Sequence, residues 1–180
     1  DSLSLPSSGS MALTSEAKAS FRGGATAGGL ALTTDVQARY DGTLWFRLTF
    51  DPKQALELRR LRVEVPLPER VARLYTYDAY GRTDEKRFGY GAVPAGAGVV
   101  WQREFLPAIW LGTEDLGLGW YAESDEHWDA DGEQALSLER EGGALRLCLN
   151  IVRQARRVEE PFSLEFGLLA TPVRPLPPVY

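Results

Sequence analysis

The sequence predicts an all-β protein, a sandwich of two antiparallel sheets with at most one or two short helices. Three observations lead there. Apolar and polar residues alternate with a period of two through most of the chain. Turn signals cut that alternation into short lengths: Asp41-Gly42, Asp51-Pro52, Tyr80-Gly81, the stretch 94–98, Asp131-Gly132 and Gly142-Gly143. Only residues 52–61, with Pro52, Gln54, Ala55, Leu58 and Leu61, compete as a short helix.

Taken in order, residues 12–21 and 29–40 are the first candidate strands. In 43–50, Leu44, Phe46, Leu48 and Phe50 share one face, and Trp45, Arg47 and Thr49 the other. In 61–67, Leu61, Val63, Val65 and Leu67 oppose Arg62, Glu64 and Pro66. Segments 73–77, 99–106, 118–123 and 134–140 follow. Leu145, Leu147, Leu149 and Ile151 then alternate with Arg146, Cys148 and Asn150, and Phe162, Leu164, Phe166 and Leu168 with Ser163, Glu165 and Gly167. One packed face and one wet face give this pattern in antiparallel sheets. About ten such strands, without an internal repeat, make two sheets packed face to face.

A chain of 180 residues fits one domain, and a domain of that size buries roughly 70% of its extended-chain surface. The net charge of −5 lacks the basic footprint of a nucleic-acid binder. Two local basic runs, Arg59-Arg60-Leu61-Arg62 and residues 153–157, read as solvated strand edges or turns. Cys148 is the only cysteine, so no internal disulfide can form, and its alternating surroundings predict buried packing. No apolar run approaches the ~20 residues needed to cross a membrane as a helix. The chain opens at Asp1 without a methionine, as a processed or truncated sequence does, so the lack of a leader says nothing about its parent. Four prolines in 171–178 predict a stiff extended spacer. The expected organisation is therefore a sandwich over 1–170, then a linker over 171–180 leading to a further domain.

The densest chemistry lies in 109–128, which holds three tryptophans, a tyrosine, three glycines, five acids and the only histidine. Glu123 and Asp125 on one strand face would stand ~6–7 Å apart, a spacing that suits paired carboxylates acting on a glycosidic bond. Acids on a wet strand face need no such role. His127 has no serine in a Gly-x-Ser-x-Gly elbow to activate. Residues 125–133 resemble part of a calcium loop, but the glycine and the closing glutamate are misplaced, which leaves an acidic turn. Phosphate-loop and dinucleotide signatures are missing, so neither cofactor nor metal is expected. Trp101, Trp110, Trp120 and Trp128 cluster while Trp45 stands apart; Tyr75, Tyr77, Tyr80 and Tyr90 precede the cluster. Such aromatics fill cores, anchor interfaces or stack on sugar rings. The candidates for ligand or interface contact are Trp110, Glu114, Trp120, Tyr121, Glu123, Asp125, His127 and Trp128, with no residue assigned as catalytic.

The run Phe105-Leu-Pro-Ala-Ile-Trp-Leu-Gly-Thr-Glu-Asp-Leu-Gly-Leu-Gly-Trp-Tyr-Ala-Glu-Ser-Asp-Glu-His-Trp128 resembles the N-terminal β-sandwich domain of glycoside hydrolase family 123. Tyr40-Asp-Gly-Thr-Leu-Trp-Phe-Arg-Leu-Thr-Phe-Asp-Pro52, residues 61–68 and Gly167-Leu-Leu-Ala-Thr-Pro-Val-Arg-Pro175 are similar to further pieces of that domain, in order. The resemblance implies a supersandwich-like domain ahead of a (β/α)₈ barrel that carries the catalytic acids. In that family the barrel removes terminal β-linked N-acetylgalactosamine with help from the substrate's acetamido group. For this chain it implies a non-catalytic accessory domain. Its partners would be the barrel of the same chain and, at the 110–128 segment, glycans, with a secreted or periplasmic location. An independent carbohydrate-binding module and a stand-alone hydrolase using Glu123 and Asp125 are the alternatives.

Overall fold

A computed structural model of the chain describes residues 9–15, 18–79, 83, 87–129 and 134–173. The described residues form β1 (Gly9–Ser15), β2 (Lys18–Ala27), β3 (Leu30–Arg39), β4 (Thr43–Pro52) and β5 (Leu56–Leu58). Next come β6 (Leu61–Pro68), a 3₁₀ turn at Glu69–Val71, β7 (Leu74–Asp78), β8 (Phe88–Ala92), β9 (Gly98–Arg103) and β10 (Ala108–Gly112). The rest are β11 (Gly117–Tyr121), β12 (Leu136–Glu141), β13 (Ala144–Val152), β14 (Arg156–Val158) and β15 (Phe162–Thr171). A nine-stranded sheet runs β1-β2-β3-β4-β15-β11-β10-β7-β8, a four-stranded sheet runs β6-β13-β12-β9, and β14-β5 is a separate ribbon. Every pairing is antiparallel.

The all-β sandwich is thus as the alternation predicts. Leu145, Leu147, Leu149 and Ile151 are buried on the inner face of the small sheet, beside Leu136 and Leu138. Leu48, Phe50, Ile109, Leu111, Trp120, Leu164 and Phe166 supply the inner face of the large sheet. Trp101 of β9 reaches across, its ring 5.6 Å from that of Tyr75 and 6.1 Å from that of Tyr77. Each apolar face covers the other, and burial at ~25 cal/mol per Å² drives the association.

Several boundaries differ from the sequence expectation. The helix anticipated over 52–61 is absent: Pro52 closes β4, and Leu56–Leu58 pairs with Arg156–Val158. Backbone partners a hundred residues away overrode a weak local helical pattern. The expected strand 12–21 is two strands, with Ser15 paired to Lys18 across residues 16–17, which lie outside the described set. Strands β8 and β10 were not anticipated. The turns at Tyr80-Gly81 and Asp131-Gly132, and the proline-rich exit from 174 onward, fall outside the described residues.

Candidate functional site

The outer face of the large sheet is built by register. Two cross-strand rows run Trp45–Gly167–Tyr121–Ala108–Asp78–Phe88 and Thr43–Leu169–Gly119–Trp110–Thr76–Tyr90. Side chains separated by more than a hundred residues in sequence become neighbours because β15 sits between β4 and β11.

Glycines shape this face. A Cβ on Gly112 or Gly117 would overlap the Trp110 ring, and one on Gly167 would overlap Tyr121. The two rings therefore rest on bare backbone, a device that also restores to a glycine-containing strand the cover its own side chain lacks. Polar handles fix their neighbours. The Trp110 indole Nε1–H donates to Thr171 Oγ1 at 3.0 Å. The Trp45 indole Nε1–H donates to Glu165 Oε2 at 3.1 Å, and Arg47 pairs with the same carboxylate at 2.7 Å. The Trp45 and Tyr121 ring centroids are 5.7 Å apart.

Between these rings and strand β8 lies an open trough of about 770 Å³. Its floor is Ala108 and Gly119; Trp110, Tyr121, Phe88 and Leu169 are its apolar walls; Thr76, Asp78 and Glu123 bring the polar groups. The volume is within the usual range for small-ligand sites, ~300–1,000 Å³.

The segment 109–128 does not act as one unit. Trp110, Tyr121 and Glu123 line the trough. Trp120 points inward, 1% exposed, and forms an aromatic corner with Phe105 and Trp128 at 6.2 and 6.1 Å. Glu114 sits in the exposed β10–β11 turn beside a separate groove with Glu69, Arg70, Arg73 and Arg140. Asp125 is exposed, and its carbonyl accepts the Trp128 N–H at 2.9 Å. His127, at φ 71°, packs its ring 5.3 Å from Phe162. Strand β11 ends at Tyr121, so the extended spacing that would pair Glu123 with Asp125 does not continue through them. Among the described residues no group of three or more His, Cys, Asp or Glu is arranged to hold a metal ion. Asp131 and Glu133 of the calcium-like stretch fall outside those residues.

Sequence reasoning placed Trp45 on a wet face but not at this site, and it missed Thr76, Asp78, Phe88 and Leu169. The available signal was the Phe88-Gly-Tyr-Gly alternation of β8, in which glycines oppose inward-facing tyrosines: a Cβ on Gly89 would overlap Tyr77.

No protein-family model matches the chain. No curated protein matches it either. The family 123 likeness thus has no support from these comparisons. The chain is similar in structure to a solved Escherichia coli K12 protein provisionally named an aldose 1-epimerase. That likeness has a TM-score of 0.48 and 10% identity, and covers 89% of this chain and 67% of the other. At that TM-score and identity no residue role and no activity passes across. One expectation is corrected by that likeness. The chain was expected to be non-catalytic, but the similar protein bears an enzyme's name on a fold of this kind. The sandwich is no ground for setting the chain apart from enzymes.

Proposed function

We propose that the outer face of the nine-stranded sheet binds a saccharide, with Trp110 and Tyr121 as stacking platforms. The observation that carries this is the pair of rings seated on Gly112, Gly117 and Gly167 above an open apolar trough. A pyranose ring offers a face of C–H groups and a rim of hydroxyls. The C–H face suits the negative π-face of an indole or phenol, and the hydroxyls suit carboxylate and hydroxyl groups placed at the edges. Asp78, Glu123 and Thr76 provide those groups here. Among the described residues no lysine or arginine lines the trough, so a neutral sugar fits it better than an acidic one. The rings are anchored before any ligand arrives, which lowers the ordering cost of binding.

The experiment is calorimetric titration of the chain with neutral hexoses, N-acetylhexosamines and their short oligomers, repeated on Trp110→Ala and Tyr121→Ala. Binding that weakens tenfold or more in both variants, about 1.4 kcal/mol or more, supports the reading. No binding by any sugar, or binding indifferent to both substitutions, defeats it.

A second reading comes from Phe88 and Tyr90, which are 57% and 76% exposed beside the trough. Exposed aromatics of that size also anchor domain interfaces. On this reading a neighbouring domain of a carbohydrate-active protein covers the same face. Protection of Phe88 and Tyr90 in a longer chain, with no sugar binding by either form, would favour it.

A further inference from the structure

The two basic runs at 59–62 and 153–157 have no part in the trough, yet the fold brings them together. The β5–β14 ribbon pairs Leu58 with Arg156 and Glu57 with Arg157, and Arg59, Arg60 and Arg153 then line one cleft. This cleft, about 400 Å³, opens on the outer face of the four-stranded sheet. Its lining also holds Val99 and Gln102 of β9, Gln134 just ahead of β12, Ser137 and Glu139 of β12, and Asn150 of β13.

Arg153 donates through Nη2 to the Asp129 carbonyl at 2.9 Å, and the remaining arginines of the two runs are committed as well. Arg62 makes two 3.0 Å bonds to Glu139 and also pairs with Glu64. Arg156 donates to the His127 carbonyl at 2.8 Å, and Arg157 pairs with Glu159. Glu139, the single acid among the described residues that line the cleft, is held by Arg62. Arg59 has only a solvated pair with Glu57, of the kind worth ~0–1 kcal/mol. Arg60 makes no ion pair among the described residues. In a chain of net charge −5, this is a local excess of positive charge. It is combined with a row of amides and a hydroxyl. Asn150 is 9% exposed and held in place by Nδ2–H donation to the Gln134 carbonyl at 2.9 Å and to Ser137 Oγ at 3.1 Å.

We infer that this cleft is a second binding site, for an acidic sugar unit: a monosaccharide carrying a carboxylate or a sulfate ester. Guanidinium groups recognise planar or tetrahedral oxyanions by charge-assisted bonds, and carboxamides recognise vicinal hydroxyls as paired donor and acceptor. The cleft has both kinds, the guanidinium groups of Arg59 and Arg60 and the side-chain amides of Gln102 and Gln134, while Asn150, with both Nδ2 hydrogens already donated, keeps only Oδ1 as an acceptor; among its described lining residues none is aromatic. The two sites use outer faces of different sheets and differ in charge preference, one for neutral and one for anionic sugars, so each stands without the other.

The test is NMR titration of the folded chain with galacturonate, a sulfated galactose, galactose itself and inorganic sulfate, at low and at physiological salt. Shifts at Gln102, Gln134 and Asn150 side-chain amides are expected with the two acidic sugars, with affinity at least tenfold above that for galactose. Whichever acidic sugar binds more tightly identifies the anion. Arg60→Glu, at an exposed position, is expected to lower that affinity at least tenfold, while Trp110→Ala leaves it unchanged. The proposal is overturned if galactose binds there as well as the acidic sugars, if inorganic sulfate binds equally tightly, if Arg60→Glu changes nothing, or if none of the probes binds. The calorimetric result at the trough is unaffected by each of these outcomes.

Discussion

The Tyr121 ring lies against the bare Cα of Gly167, its cross-strand partner on the outer face of the large sheet. This contact sets where the ring stands, and through it the 5.7 Å approach to Trp45. Gly167→Ala is therefore expected to displace Tyr121 rather than to be absorbed. The overpacking should cost about 1–3 kcal/mol, visible as a lower midpoint in urea unfolding. Sugar binding should weaken in the same variant. Unchanged stability together with unchanged binding would mean that the ring has room to move.

Two tryptophans ten residues apart should behave oppositely. Trp120 is 1% exposed between Phe105 and Trp128, and truncating such a ring costs about 3–5 kcal/mol. Trp110 is half-buried at the surface, with one hydrogen bond to Thr171. Trp110→Ala should lose sugar affinity while destabilising the fold less than Trp120→Ala. Denaturant melts of the two variants side by side check the order.

Cys148 is buried on the outer face of the small sheet, beneath the Arg62–Glu139 pair. Burial first, and then the Glu139 charge, push its thiol up to about 12, against the pull of Arg62. The folded protein should thus hold almost no thiolate at pH 8. Labelling by a thiol-reactive disulfide is expected only after unfolding, when the ordinary value of about 8.5 returns. Rapid stoichiometric labelling of the folded chain would contradict the packing.

Asp129 ties the corner after Trp128 to the start of the β13–β14 turn. Its Oδ2 accepts the Arg153 N–H at 2.6 Å and the Gln154 N–H at 2.9 Å. Burial raises its carboxyl, but these two N–H donors and the nearby Arg156 and Arg153 charges outweigh that and hold it below the usual range. A depressed folded value stabilises the protein above the unfolded value of about 3.9, and the contribution is lost as pH falls through the folded value. Asp129→Asn should cost about 1–3 kcal/mol at neutral pH. The gap between variant and parent should close on acidification below pH 4 in unfolding experiments.

How much of this could be read from the chain depends on how local the cause is. Alternation in 43–50, 61–67, 145–151 and 162–168 assigned inner and outer faces correctly, because one face of each strand is buried and a one-residue slip would expose it. The trough was only half legible. Trp110, Tyr121 and Glu123 come from one aromatic segment, but that segment also holds Trp120 and Trp128, which turn inward. Asp78, Phe88 and Leu169 join them through strand order, which no local pattern encodes. The helical expectation at 52–61 failed for the same reason, since the ribbon partner of β5 lies at 156–158. The basic runs were visible as composition, whereas their convergence on one cleft belongs to the pairing of β5 with β14.

The most direct test of the saccharide-binding face is a titration of the chain with neutral oligosaccharides, followed through the five tryptophan indole N–H signals by two-dimensional NMR. The account predicts that Trp110 shifts most, that Trp45 follows through its contact with Tyr121, and that the buried Trp101 and Trp120 stay in place. Shifts confined to the buried indoles, or no shifts with any sugar up to millimolar concentration, would contradict it.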